Sequence, residues 1–197
     1  MSTVEEVHRT VPAMTTLEDG ATLYDHARVC KHAIVEIGAN AGASSCCLGL
    51  GSRDGYGVTV YSVDPHNGGG QTPDHQTISE DGAPGKGYIN QGASSHAWEK
   101  NIATFNLQDI VKPIINYSEL AIKDYPGDPI GLLFIDGDHR YNYVKIDLET
   151  WLPILVPDGW LFMHDRGYDG VSRCCKEFLS EYEEYDRGWF KKKMVGV

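Results

Sequence analysis

Two carboxylates and an imidazole follow an apolar stretch in the segment 132–145, which has the sequence LLFIDGDHRYNYVK. Asp136, Asp138 and His139 come directly after the apolar run, where a buried strand would leave the core. From the start of the next helix, His139 could take a proton from a substrate hydroxyl held at a metal ion. An alternative is that Asp136 or Asp138 caps the helix and that His139 is a surface histidine. The segment is the first candidate for a catalytic site.

A second apolar run, GWLFMHD at 159–165, also ends in polar residues, His164 and Asp165. The carboxyl ends of parallel strands meet at one edge of a sheet, which would bring Asp165 close to Asp136 and leave the histidines nearby. Two ionised carboxylates at short range repel each other unless a divalent cation or a shared proton lies between them. Oxygen ligands suit Mg²⁺, and an added imidazole would also admit Mn²⁺ or another transition ion. These residues predict a divalent metal site, with Mg²⁺ as the expected ion.

A third polar feature is the sequence VEIGANAG, in which a strand carrying Glu36 precedes Gly38 and Gly42. Glycines there allow the backbone to pass close to a ligand that faces the N-terminus of the next helix. Asp64 ends a second strand, where a carboxylate can accept hydrogen bonds from both hydroxyls of a ribose. The spacing differs from the G-x-G-x-x-G of dinucleotide sites. Together these residues predict a cofactor that contains a nucleoside, and the alternative is an ordinary turn without a ligand.

The elements that must position these residues alternate along the chain. Short apolar runs, turns rich in Gly, Asp or Asn, and helical patterns follow one another, as in βα units on a parallel sheet. At least five parallel strands are predicted, within the segments 33–42, 57–68, 110–118, 130–139 and 159–165. The fold class expected is therefore α/β.

Helical periodicity appears between these strands. Val144, Leu148, Trp151 and Leu155 follow an i, i+4, i+7, i+11 pattern, which predicts one apolar face. The segment 169–188 predicts a further helix that ends at Gly188, and the segment 15–30 predicts a helix packed under the first strand.

The segment 66–98 does not follow the βα pattern, because it is rich in glycine and has only scattered apolar residues. A segment this long without regular structure is commonly a lid or a binding loop. We expect it to be a substrate lid at the carboxyl edge of the sheet, with Tyr88 and Trp98 as candidate contacts. A mobile loop with no catalytic role is the alternative.

The composition favours small molecules as partners. The formal net charge of −11 argues against binding to nucleic acid or to an anionic membrane. Neither a signal-peptide pattern nor an apolar run of about 18 residues is visible, so we expect a soluble, cytoplasmic protein. The five cysteines contain no C-x-x-C pair and are predicted to be small buried residues rather than disulfides.

In their order and spacing, the sequences VEIGANAG, VDPHN, NYSEL, FIDGDHRY and LVPDGWLFMHD resemble class I methyltransferases that use S-adenosylmethionine. The chain is most similar to small-molecule O-methyltransferases related to macrolide-sugar and cephamycin-pathway enzymes, over about 33–165. The resemblance implies a Rossmann-like, doubly wound, mostly parallel sheet with helices on both faces, in a single domain over 1–197. It also implies transfer of a methyl group to a hydroxyl of a small molecule.

The resemblance assigns the cofactor to residues of several segments. Those implied are Glu36, Gly38, Asn40 and Gly42 along the methionine part, Asp64 at the ribose, and Ser118 and Glu119 beside the adenine. Ser44 and Asp136 complete the predicted cofactor-binding set.

The resemblance also assigns the metal and the base. In metal-dependent relatives, acids at the positions of Asp136 and Asp165 bind Mg²⁺, and the residue at the position of His139 is the general base. The third ligand departs from the pattern, because the Asn of catechol-type enzymes is replaced by Arg166, which cannot ligate a metal. The acid of sugar-type enzymes is replaced by His164, whose imidazole can bind a metal. His164 is the predicted third ligand, and metal-free catalysis is the alternative.

Two rival functions stay open at this point. Tyr141 and Lys145 have the Y-x-x-x-K spacing of short-chain dehydrogenases, which would make the protein an NAD-dependent oxidoreductase. The changes at His164 and Arg166 would also suit a protein that binds S-adenosylmethionine without turnover.

The end of the chain, WFKKKMVGV, predicts a sixth strand. The seventh strand that such folds carry is then expected to be missing, either because the chain is truncated or because a partner supplies it. Exposed sheet edges are commonly covered, so a homodimer is predicted.

Overall fold

The structure, a computed structural model, describes residues 3–66 and 94–192. Its strands are β1 (Ala33–Ile37), β2 (Val60–Val63), β3 (Val111–Ile114), β4 (Ile130–Ile135), β5 (Leu155–Met163), β6 (Tyr182–Glu184) and β7 (Trp189–Lys192). Its helices are α1 (Val4–Thr10), α2 (Leu17–Val29), α3 (Ala43–Asp54), α4 (Ser94–Thr104), α5 (Ser118–Ala121), α6 (Tyr141–Trp151) and α7 (Asp169–Phe178). Short 3₁₀ turns lie at Leu152–Ile154 and Asp186–Gly188.

The described strands form one sheet in the order β3-β2-β1-β4-β5-β7-β6. The first five are parallel to one another, and β7 runs antiparallel to both β5 and β6. In the register, Ile37 lies beside Val63 and Ile135, and Ile135 lies beside Met163. Four strands therefore end level, and the residues that follow them emerge at one edge. This confirms the Rossmann-like, mostly parallel α/β fold.

The central strand β4 is apolar because helices cover both of its faces. All six of its residues are buried. Leu132 and Phe134 pack into one core with residues of α2, α3 and α4, whereas Leu133 and Ile135 pack into a second core with residues of α5, α6 and α7. The charged residues begin only where β4 leaves these cores.

Two predicted helices are confirmed in the main. Thr16 and Asp19 form a reciprocal capping box at the start of α2, which holds that helix under the sheet. On α6 the predicted face is buried at Val144, Leu148 and Trp151, but Leu155 belongs to β5 instead. The apolar periodicity continued past the helix because Leu155 enters the same core from the next strand.

Two predictions for the last part of the chain are wrong, the long helix and the missing seventh strand, whereas the predicted strand is confirmed over Trp189–Lys192. The helix expected over 169–188 ends at Phe178, and β6 follows at Tyr182–Glu184. The sheet consequently has seven strands, with the predicted sixth strand lying between β5 and β6 as β7. Gly188, at φ +87°, makes the turn into β7, which returns the chain to the sheet. Dimerisation stays a prediction, but a missing strand no longer argues for it.

Most of the predicted lid, including Tyr88, lies outside the described residues. Its last five residues open helix α4, and Trp98 is 4% exposed. The side chain of Trp98 is therefore part of the core and is not an exposed residue at the cavity. In the described parts of the chain, no helix is long and apolar enough to cross a membrane.

Candidate active site

A cavity of about 400 Å³ lies at the carboxyl edge of the sheet. Loops after all five parallel strands contribute to its wall, including Gly38, Asp64, Ser118, Asp136 and Asp165. Ligands of open α/β sheets bind in this place because strand order reverses there and leaves a crevice between loops.

Gly38 allows two of these loops to pack closely against each other. Its φ is +94°, and a Cβ on it would lie 2.2 Å from the carbonyl oxygen of Asp136. Only glycine lets the loop after β1 come this close to the loop after β4. Gly38 thus fixes the position of Asp136, and it lines the cavity as predicted.

Gly42 and Glu36 were both assigned to the cofactor, but they do not line the cavity. Gly42, at φ +88°, precedes α3 and packs against Trp98, whose Cδ1 would lie 2.9 Å from an added Cβ. Glu36 is fully buried and accepts hydrogen bonds from the hydroxyls of Ser45 at 2.5 Å and Ser62 at 2.8 Å. Burial raises the pKa of Glu36, and Trp98 Nε1 donates to Ser45 Oγ at 3.1 Å. The two residues support the loop from beneath.

Asp64 orders the loop that surrounds it. Its carboxylate accepts hydrogen bonds from the backbone N–H groups of Asn40 at 2.8 Å and His66 at 2.6 Å. Asn40 has a positive φ of 44°, which brings its amide toward Asp64. Asp64, Asn40 and Ser44 all line the cavity, so this part of the predicted set is brought together.

Asp136 and Asp165 lie close together, with two histidines between and beside them. His164 Nδ1 is 3.0 Å from Asp136 Oδ1 and 3.2 Å from Asp165 Oδ2, while His139 Nε2 is 2.8 Å from the same Asp165 oxygen. Asp19, from α2, reaches the other side of His164, with Oδ2 3.6 Å from Nε2. Parallel strands thus bring the predicted carboxylates and histidines together as expected.

The charges of this cluster depend on one another. Burial alone would lower the pKa of His164, but hydrogen bonds to Asp136 and Asp165 outweigh it and raise the pKa to about 11. The pKa of His139 is raised in the same way: burial would lower it, but the hydrogen bond to Asp165 and the charge of that carboxylate outweigh burial. Hydrogen bonds from both histidines hold the pKa of Asp165 far below its usual range. Burial raises the pKa of Asp136 in spite of His164. The carboxylates therefore make both imidazoles stronger bases than isolated ones, and His164, with a pKa of about 11, carries a proton near neutral pH.

Ligand atoms of Asp136, His139 and Asp165 lie within 4.8 Å of one another, so these three could hold a metal ion. His164, the predicted third ligand, is not in this group and instead lies at hydrogen-bonding distance from both carboxylates. Arg166 turns away, since its guanidinium pairs with Glu184.

The alternative that Asp136 or Asp138 caps the helix is wrong. The N-cap position of α6 is Arg140, and no side chain caps the helix. Asp138 accepts hydrogen bonds from the backbone N–H of Arg140 at 2.9 Å and from its guanidinium. The pair fixes the turn between β4 and α6, which carries His139.

The cavity wall also contains residues that were not predicted. Tyr168 stacks on His139 with ring centroids 4.4 Å apart and an interplanar angle of 14°. Asp147 also lines the cavity and is buried, beside Ser118. Asp147 follows Val144 by three positions and so stands on the apolar face of the predicted helix, which was a usable signal. No sequence pattern marked Tyr168.

Tyr141 and Lys145, the pair typical of dehydrogenases, do not line the cavity. Tyr141 Oη donates to Glu177 at 2.6 Å, and Lys145 Nζ lies 3.4 Å from Glu149. Their Y-x-x-x-K spacing is the ordinary spacing of one helical turn.

Solved structures with a similar fold carry methyltransferase names. The O-methyltransferase NovP aligns with a TM-score of 0.67 and 17% identity, over 94% of this chain and 83% of that one. CalS11, a calicheamicin methyltransferase, aligns with a TM-score of 0.65 and 13% identity, over 91% and 78%. An O-methyltransferase from Bacillus cereus, in complex with SAH, aligns with a TM-score of 0.60 and 18% identity, over 95% and 87%. At these identities the likeness concerns the fold.

Two sequence comparisons complete these findings. The uncharacterized protein y4gI of Sinorhizobium fredii is 40% identical over 45 residues, which are 23% of this chain but only 5% of that protein. The chain therefore spans a small fraction of that relative. A family model described as a methyltransferase domain matches residues 35–166, which include the cavity loops after β1, β2, β3 and β4 and both acids of the charged cluster. The chain belongs to this family of methyltransferase domains.

Proposed function

We propose that the protein transfers a methyl group from S-adenosylmethionine to a hydroxyl of a small molecule, with His139 as the general base. The observation that carries the proposal is the pair His139–Asp165, at 2.8 Å, on the wall of the cavity. Family membership gives the reaction class, and a histidine oriented by a carboxylate suits proton removal from an oxygen.

The cavity fits a nucleoside cofactor. Its volume of about 400 Å³ falls in the usual range of small-molecule sites. We assign Gly38, Asn40 and Ser44 to the methionine part, and Asp64 to the ribose, because a carboxylate beside a tight backbone turn can accept from ribose hydroxyls. Ser118 and Glu119, which follow β3, line the cavity and are assigned to the adenine.

The charged cluster fits a divalent cation. We assign Asp136 and Asp165 as ligands, since two carboxylates with a nearby imidazole suit Mg²⁺ or Mn²⁺. A bound divalent cation would lower the pKa of the acceptor hydroxyl. His139 is kept for the proton, because one imidazole nitrogen cannot ligate a metal and accept a proton together. His164 donates a hydrogen bond to the carboxylates and orients them.

The chain's own residues then perform three tasks. The cavity holds the acceptor oxygen in line with the methyl carbon, and such positioning can supply about 7–11 kcal/mol of the barrier. His139 accepts the hydroxyl proton on the ring nitrogen that does not face Asp165, while its Nε2–H donates to Asp165, which stabilises the imidazolium that forms. Tyr168 covers one face of the imidazole and limits its contact with water.

The experiment is a screen of small hydroxyl compounds with S-adenosylmethionine labelled at the methyl group, with and without Mg²⁺. The proposal predicts label in an O-methyl product, and a weaker signal after chelation. Tight binding of the cofactor with no transfer to any acceptor class would favour the non-catalytic binding protein instead.

A further inference from the structure

The part of the cavity wall that is proposed to hold the adenine contains a carboxyl group to which no role has been given. Asp147, on α6, is only 4% exposed, yet it lines the cavity together with Tyr117, Tyr143 and Ile146. Buried carboxyl groups are rare without a cation or a full set of hydrogen bonds, so Asp147 requires an explanation.

One side of Asp147 is already satisfied by the protein. Ser118 Oγ accepts a hydrogen bond from Trp151 Nε1 at 2.9 Å, which leaves its own O–H to donate to Asp147. Asp147 Oδ2 faces Gly137, where an added Cβ would lie 3.5 Å away. Because residue 137 is glycine and lines the cavity, it places no side chain of its own in front of that oxygen.

The charges around Asp147 oppose its ionisation. The charged groups that face it are Glu119, from α5, and Asp138, from the loop before α6, and both are carboxylates. Burial, assisted by these two charges, raises the pKa of Asp147 to about 7 against the opposing hydrogen bond from Ser118. The side chain can therefore be a neutral carboxylic acid, with one donor and one acceptor.

That pair of groups matches one edge of adenine, where a ring nitrogen accepts and the exocyclic amino group donates. We propose that Asp147 recognises the adenine of the cofactor as a neutral carboxylic acid, its O–H donating to a ring nitrogen and its carbonyl accepting from the amino group. This inference rests on the proposed function and adds to it a specificity-determining residue. Tyr117 and Tyr143, 44% and 41% exposed, line the same cavity and offer aromatic rings to a flat ligand.

The test measures binding of S-adenosylhomocysteine by calorimetry, without metal, between pH 6 and pH 9. Wild-type affinity should fall roughly tenfold across this range, because deprotonation removes the donor. Asp147→Asn keeps one donor and one acceptor, so its affinity should stay high and change little with pH. Asp147→Leu should bind roughly tenfold more weakly, since both contacts are lost.

A second ligand isolates the amino group. The 6-deamino analogue, with hydrogen in place of the exocyclic amine, should bind wild-type protein more weakly than S-adenosylhomocysteine, and this preference should shrink in Asp147→Leu. Thermal unfolding without ligand shows whether each variant is folded.

The outcomes separate the two proposals. Folded wild-type protein that binds no S-adenosylhomocysteine at any pH overturns the proposed function, and this inference with it. Wild-type binding with unchanged affinity in Asp147→Leu overturns this inference alone. Affinity that rises with pH would show an ionised Asp147 and would also contradict it.

Discussion

His139 Nε2 lies 2.8 Å from Asp165 Oδ2, although the two residues follow different strands of the sheet. The pair exists because β4 and β5 end level, with Ile135 beside Met163. Asp165 also has a positive φ of 52°, which is uncommon for a residue other than glycine and turns the chain at the site. Backbone geometry and register together orient the imidazole.

Replacing the proposed base should stop methyl transfer without emptying the cofactor site. We expect His139→Ala to lower the transfer rate by at least roughly 100-fold, in the range of general-base catalysis, while S-adenosylhomocysteine affinity stays within a few-fold. The control is His32→Ala, which removes an exposed histidine outside the cavity. Full activity in His139→Ala would show that the residue is structural.

A divalent cation should stabilise the folded protein through the carboxylates. Saturating Mg²⁺ or Mn²⁺ should raise the Tm of the wild-type protein, because a ligand that binds only the native state stabilises it. Asp165→Asn should lose this shift, whereas Asp109→Asn, at an exposed position, should keep it. An equal shift in both variants would contradict the assigned ligands.

Asp64 should contribute to cofactor affinity in two ways. It holds the amides of Asn40 and His66, and it is the proposed ribose acceptor. Asp64→Ala should weaken S-adenosylhomocysteine binding by about 1.5–3 kcal/mol, the usual value for hydrogen bonds to a charged group. Calorimetry checks this, and unchanged affinity would place the ribose elsewhere.

Gly38 should tolerate no side chain. Gly38→Ala forces a Cβ to 2.2 Å from the carbonyl oxygen of Asp136 and strains a backbone at φ +94°, so we expect a loss of at least about 1–2 kcal/mol of unfolding free energy. Gly167→Ala is the matched control, since nothing lies within 4 Å of its added Cβ. Urea unfolding measures both, and equal midpoints would contradict the close approach of the two loops.

The stability of the free protein should report the ionisation of Asp147. Its pKa is about 7 when folded, against an ordinary value of 3.8. A carboxyl group whose pKa is raised in the folded state contributes its full stabilisation at pH values below its ordinary pKa. This stabilisation is lost as the pH rises toward the pKa of the folded state. The Tm of Asp147→Asn minus the Tm of the wild type should therefore increase between about pH 4 and pH 7 and stay constant at higher pH. Calorimetric scans that show a constant difference would exclude the raised pKa.

Much of the site could be predicted from sequence because it follows from strand ends. Asp64, Asp136 and Asp165 each follow an apolar strand, and parallel strands place such residues at one edge. Contacts across the fold could not be predicted in this way. The stacking of Tyr168 on His139 depends on how α7 returns to the sheet, and the burial of Glu36 depends on hydroxyls from two other elements. The strand β6 was missed because Tyr182–Glu184 carries no apolar alternation strong enough to end a helix.

Methyl transfer through His139 is tested most directly by single-turnover transfer from labelled S-adenosylmethionine to the best hydroxyl acceptor, with wild-type protein and His139→Ala side by side. The expected result is an O-methyl product from the wild type and at least roughly 100-fold slower transfer in the variant. Equal rates in the two proteins, or label only on nitrogen or carbon, would contradict it.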